Sequence, residues 1–490
     1  MSPHRRSVRL FCIAFVIALV AAACNGGSKA ATSTTSTTAK ATAKTRPGDA
    51  ASGDAGGGKG CATPQKASDM SATAKDLQAA GGAGPHVQAV TYPHPDYQAK
   101  LWSQWGQGVA LADGRFFSAV GDHCGVNGNA YFYEFSPDSG RLRMLSDVDS
   151  SVGHNDGAWG YGKIHAQMGL GPDGKLYAAT YWGASKDIAY GNGYDGDLLL
   201  RVDPGSGAIT KLDVPVPKHG IPSMTTWTAG GLLYGEAPDP LAAAAADSSS
   251  TATSVKQKGS GKKAGGAADS TGSDEEGNSE AKVKPGVFFV YDIKTGKVVF
   301  QDDGTQAGYR NVAVGPKGVA YYSGGDSQLK RYDPATKKLD VLPAKLPGAY
   351  MRASTRPGPD GTIYGVTRLP DKFFALHPDG SIDVLGDAKG YTASMALDPK
   401  GDAFYYVPDA HGRSWEQGSP LIRVDTKTGD QTVVVRVNDL AEKQLQLRLG
   451  GSYDVALDPS GKRAYVGFNA GPPDSQEPFG TIVLVVIDLA

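Results

Sequence analysis

One pattern constrains this chain more than any other: a turn glycine followed by a strand that carries an aromatic residue, repeated seven times. The copies are Gly114-Arg115-Phe116-Phe117, Gly174-Lys175-Leu176-Tyr177, Gly231-Leu232-Leu233-Tyr234, Gly318-Val319-Ala320-Tyr321, Gly361-Thr362-Ile363-Tyr364, Gly401-Asp402-Ala403-Phe404 and Gly461-Lys462-Arg463-Ala464-Tyr465. Successive glycines lie 60, 57, 87, 43, 40 and 60 residues apart, and the 87 falls to 43 once the 44 residues from Leu241 to Lys284 are set aside. Self-similarity at about 40 residues belongs to supersecondary units that cannot bury their apolar faces alone and must stack.

A second turn recurs inside the unit, as in Asp203-Pro204-Gly205-Ser206-Gly207, Asp292-Ile293-Lys294-Thr295-Gly296 and Asp425-Thr426-Lys427-Thr428-Gly429. These are hairpin turns by their chemistry. Two turns flanked by apolar runs such as Leu198 to Val202 give four strands per unit, which is a propeller blade. The expected fold is all-β, a seven-bladed β-propeller of four-stranded antiparallel blades spanning residues 86–490. The last unit has strands around Tyr453 to Leu457, Ala464 to Phe468 and Thr481 to Leu489, one short of a blade, while His86 to Tyr92 has strand character and no partner of its own. This N-terminal strand is expected to complete the last blade and remove the edges an open ring would expose.

Gly171-Pro172-Asp173-Gly174-Lys175-Leu176-Tyr177 and Arg356-Pro357-Gly358-Pro359-Asp360-Gly361-Thr362-Ile363-Tyr364 resemble the YVTN, NHL and streptogramin-lyase-like propeller repeats. The resemblance spans about residues 86 to 490 and implies the architecture. Such repeats host binding proteins, lyases and lactonases alike, so function has to be read from the site. No Trp-Asp dipeptide of the WD40 kind and no sialidase Asp-box is present, and the lyases' catalytic motif does not map onto residues here.

Ahead of the repeats, a basic start (Arg5, Arg6, Arg9) precedes an apolar run from Phe11 to Ala22 and then Ala23-Cys24. That run is shorter than the roughly 20 residues a membrane-spanning helix needs, and the order of parts is that of an export signal. The segment resembles a bacterial lipoprotein signal, which implies a signal peptide over 1–23 and a lipid on Cys24. Residues 24–85 are then a lipid-anchored flexible tether, since Asn25 to about Gly60 is Ala, Thr, Ser, Gly and Lys without an aromatic and cannot offset its ordering entropy. The tract at about 241–284 has the same character and is expected to be a disordered insertion in one surface loop. Cys61 and Cys124 remain, and an oxidising compartment favours a disulfide between them; two free thiols are the alternative. The reading is of an exported monomer tethered outside the cell membrane. With 49 basic against 50 acidic side chains, no global field draws it to nucleic acid.

Both kinds of hairpin turn lie on one face of a propeller, and here they are short. The opposite face carries the long, irregular loops 121–129, 150–163, 181–197, 408–419 and 469–480, which is where binding residues are expected. His123, His154, His165 and His411 map there, as do Trp159, Trp182 and Trp415, candidates for a stacking platform. His165 lies nine residues before its turn glycine, at the start of an innermost strand. The same offset gives Trp105, Pro222, Tyr309, Arg352, Thr392 and Ser452, with Arg310 and Asp454 close by. Such a ring suits an anionic or sugar-like ligand, because guanidinium matches carboxylate and phosphate. The bland alternative is that these groups satisfy one another and channel waters. No cofactor is specified; His123, His154 and His165 with Asp156, Asp187, Asp195 or Glu416 leave a divalent cation open. Two functions follow: binding of a cell-envelope ligand or partner protein through the long-loop face, or a propeller lyase or lactonase with His165 as base, Arg352 as anion stabiliser and His411 in reserve.

Overall fold

The computed structural model describes residues 66–67, 69–77, 84–154, 157–181, 193–238, 286–302, 310–324 and 326–489. They form seven antiparallel sheets around one channel. From the channel outward, blade 1 is Val109–Ala110, Phe116–Gly121, Ala130–Ser136 and Arg141–Asp147. Blade 2 begins with a broken inner strand, Lys163–Ile164 and Gly169–Leu170, followed by Leu176–Tyr181, Leu199–Val202 and Ile209–Asp213. Blades 3 to 6 start from Ser223–Trp227, Val312–Val314, Tyr350–Ser354 and Met395–Leu397, and blade 7 from Arg448–Leu457.

The seven repeat glycines explain the period. Each has a φ between 66° and 87°, the left-handed region open to glycine at no steric cost. The aromatics then fasten neighbouring blades. The Tyr465 hydroxyl of blade 7 donates to the Gly114 carbonyl of blade 1 at 2.8 Å, and Tyr234 of blade 3 donates to the Gly318 carbonyl of blade 4 at 2.7 Å. Separate apolar clusters fill the seams between successive blades. One of them joins Phe116 and Tyr131 of blade 1 to Tyr465 and Leu484 of blade 7, where Phe116 and Tyr465 stack at 4.8 Å. The core is therefore a ring of seven wedges with no single centre.

Closure follows the expected route. Val87–Thr91 pairs antiparallel with Thr481–Asp488 in register Val87 to Ile487 through Thr91 to Val483, as the outer strand of blade 7. The N-terminal stretch departs from the tether expectation. Ser71–Thr73 adds a fifth strand to blade 1 against Arg141–Arg143, and Lys75–Asp76 pairs with Gln88 and Ala89 in blade 7. Residues 71–76 are a strap across the closing seam, and the four-strand expectation holds for the other blades. The strap's upstream end lies at the long-loop side, where the Ala67 N–H donates to the Asp147 carboxylate at 2.8 Å. The stretches around Cys24, Cys61 and 241–284 lie outside the described residues. Among the described residues no helix is long and apolar enough to cross a membrane.

Candidate functional site

The innermost strands run from the long-loop face into the channel, so residues at their starts meet at its mouth. All seven blades contribute to a cavity of about 420 Å³ that opens to solvent, with Trp105, His165, Arg310, Arg352 and Tyr453 in its wall. A second tier two residues further along, Gln107, Gln167, Asn311 and Ser354, lines it deeper in. This tier is stitched between blades: the Asn311 amide donates to the Ser354 hydroxyl at 2.8 Å, and Gln107 Nε2 donates to the Val455 carbonyl at 2.6 Å.

His165 is fixed at both ring nitrogens. Nδ1 lies 2.8 Å from the Pro222 carbonyl and Nε2 lies 3.3 Å from Arg310 Nη1. A carbonyl only accepts and a guanidinium only donates, so Nδ1 carries the proton, Nε2 accepts, and the imidazole is neutral. Arg352 Nε donates to the Tyr391 hydroxyl at 2.6 Å, and its guanidinium stands 5.2 Å from the Tyr391 ring and 5.7 Å from the Tyr453 ring. Lys163 Nζ sits 4.0 Å above Trp105 and 5.3 Å from Tyr181. Both cations stand within cation–π range of these aromatic faces.

No carboxylate is among the described lining residues. Two acids stand close behind the wall, and burial suppresses the charge of both. Glu236, opposite the wall residue Ser223 across the sheet, is fully buried with neither oxygen hydrogen-bonded; desolvation holds it well above the carboxylate range. Asp454 is pushed up to about 7 by burial although Gly108 N and Gln104 Nε2 donate to it. The mouth is thus a positive, partly desolvated cavity, in which an anion is favoured.

Of the residues singled out from the sequence, His165, Arg310, Arg352 and Trp105 come together at this cavity. Trp105 is a buried hub, ringed by Tyr453 at 4.8 Å, His123 at 5.6 Å, His411 at 5.7 Å and a stacked Phe479 at 5.8 Å. His123 and His411 therefore support the wall through Trp105 and do not line it. Asp454 stands behind it. Trp159 is buried against Tyr194 at 5.4 Å, and Trp415 lies under the Arg448 guanidinium at 4.2 Å, so neither joins the cavity and the expected aromatic platform does not assemble from them. His154 follows the short helix Val148–Val152 and its N–H donates to the Asp149 carbonyl at 3.2 Å. Trp182, Tyr309, Asp156 and Asp187 fall outside the described residues. Among the described residues no three His, Cys, Asp or Glu side chains are grouped to hold a metal ion. Cys124 is disulfide-bonded, while Cys61 lies outside the described residues. The sequence reading missed the second tier, Tyr453 and Lys163. The tier had a signal, since Gln107, Gln167, Asn311 and Ser354 all lie seven residues before a repeat glycine.

No protein-family model and no curated protein matches the chain in sequence. Among solved structures it is similar to virginiamycin B lyase from Staphylococcus aureus, with 10% identity, 82% of this chain and 99% of that one covered, and a TM-score of 0.48. A streptogramin B lyase aligns with 12% identity over 82% of this chain and 98% of its own, at 0.48. The WD40 repeats of RRP9 align with 9% identity over 84% and 100%, at 0.49.

Proposed function

We propose that this chain is an exported, lipid-tethered binding module whose propeller takes an anionic cell-envelope ligand, free or displayed on a partner, at the mouth of its channel. The observation that supports the ligand class is the convergence of Arg310, Arg352 and His165 on a cavity whose described wall has no carboxylate. The N-terminal pattern ending in Ala23-Cys24 supports the anchor. Calorimetric titration of the purified chain with small anions and their neutral analogues tests the site. Anions bind and neutral analogues do not, and Arg352→Ala weakens binding at least tenfold, in line with about 1.5–3 kcal/mol for a hydrogen bond to a charged group. Equal affinity in wild type and Arg352→Ala sinks the reading. For the anchor, Cys24→Ala moves the protein from the membrane fraction to the soluble one.

The lyase or lactonase reading keeps one favourable observation: the Pro222 carbonyl orients His165 as a general base is oriented. Its base nitrogen, however, is occupied by Arg310, which a substrate has to displace first. Turnover of a lactone or cyclic ester by wild type that disappears in His165→Ala would favour that reading over simple binding.

A further inference from the structure

We infer that the ligand of this cavity is a compact, doubly charged oxyanion taken up together with one proton, the anion drawing Arg310 away from His165 and the proton settling on the nitrogen Arg310 leaves. The inference rests on the anion-binding reading above and specifies both the ligand and its linkage.

His165 Nδ1 is committed as donor to Pro222 and Nε2 as acceptor from Arg310 Nη1. An anion between Arg310 and Arg352 competes for that guanidinium, because a charge-assisted bond to an oxyanion is about twice as strong as a neutral one. Once Arg310 turns to the anion, Nε2 presents a lone pair toward negative oxygens, which is unfavourable until it gains a proton. A proton from solvent forms the Nε2–H bond, the Arg310 to Nε2 hydrogen bond is lost, and imidazolium becomes a third donor. No other bond changes. Two guanidiniums and one imidazolium then face a dianion, with the Gln167 amide, which makes no side-chain hydrogen bond among the described residues, within the same wall.

Arg310 carries an independent mark of the same role. Its φ is 78°, the left-handed region that a non-glycine residue occupies at a cost of about 1–3 kcal/mol, and such strain gathers at ligand clamps and switches. Among the described residues, the other charged and titratable groups around His165 are placed as follows. Lys163 is held on Trp105, Arg352 bonds Tyr391, and Tyr181 and Tyr453 face the imidazole as rings at 5.2 and 6.2 Å. Glu236 lies behind Ser223, and Asp454 is turned to Gln104 and Gly108. Compactness follows from the three donors lining one cavity that the stitched second tier narrows below.

The probes are sulfate and oxalate, whose charge stays fixed across about pH 5 to 8, where imidazole titrates. Calorimetry of the whole chain in buffers of different ionisation enthalpy should give a buffer-dependent heat corresponding to uptake of about one proton, and affinity should rise up to about tenfold per pH unit toward acid. His165→Gln and His165→Asn, each checked for an unchanged melting temperature, should bind more weakly with heats independent of buffer. Binding by wild type with buffer-independent heat overturns the proton claim and leaves the anion reading standing. Failure of sulfate and oxalate at pH 5.5 while larger anions bind overturns the compact-ligand claim. Failure of every anion overturns both.

Discussion

The two faces of this propeller use the same side chain in opposite ways. On the short-turn face, aspartates begin or close the hairpins and sit in water. Backbone N–H groups of Ala335, Thr362 and Thr428 hold Asp333, Asp360 and Asp425 below the usual carboxylate range, and the Lys175 ammonium does the same for Asp203. On the long-loop face, acids are buried and pushed up. Burial brings Asp122 to about 7 despite donors from Cys124 N, Asn129 N and the Tyr97 hydroxyl, and Asp149 to about 8 with no hydrogen bond to either oxygen. Short turns can be satisfied locally, residue by residue. Long loops fold over the channel mouth and carry their polar groups inward, so that face trades stability for a shaped, partly dry cavity.

The largest test of this contrast is a pair of truncations. Asp122→Ala removes the acceptor of three donors in a buried network and should cost on the order of 4 kcal/mol, whereas Asp425→Ala on the opposite face should shift the chemical-denaturation midpoint several-fold less. Equal losses would erase the distinction between faces. Next in size is the pH profile. An acid whose folded pKa is raised contributes stability that is fully present below its ordinary value and is lost as pH rises through the folded value. Thermal stability should therefore fall from about pH 4 to about pH 8 as Asp122, Asp454 and Asp149 ionise. Asp149→Asn and Glu236→Gln should flatten that limb, and an unaltered slope in both variants would show that these carboxyls do not drive it. The smallest effect belongs to Asp379→Asn, where Ser381 hydrogen bonds hold the pKa down. Stability from that group is present above the ordinary value and lost as pH falls, so only the acid limb below about pH 4 should soften, with neutral-pH melting unchanged.

How much of this was legible in the sequence depended on range. The repeat glycines sit in a local conformation that only their residue type takes readily, so blade number and phase could be counted, and the strand register then brought His165, Arg310, Arg352 and Trp105 together. The strap at 71–76 was not legible, because two strands of two and three residues rich in Ala, Thr and Lys carry no apolar alternation. Glu236 reads as one more charged strand residue, and only the neighbouring blade, with Phe288 stacked on Tyr322 at 4.3 Å beside it, reveals that it is buried. The register placed Trp105 at the channel mouth, but its packing against Phe479 and His411 comes from distant loops and was not legible.

The strap has a mechanical consequence. Its first strand runs lengthwise along Arg141–Arg143, away from the long-loop side, and the Ala67 to Asp147 bond lies upstream of it. A force applied through the N-terminal chain from that side would load these bonds in shear, together, instead of peeling them one at a time. The closing strand Val87–Thr91 would feel tension only after both short strands had slipped, so the ring's closing seam is shielded from a pull applied through the N-terminal chain.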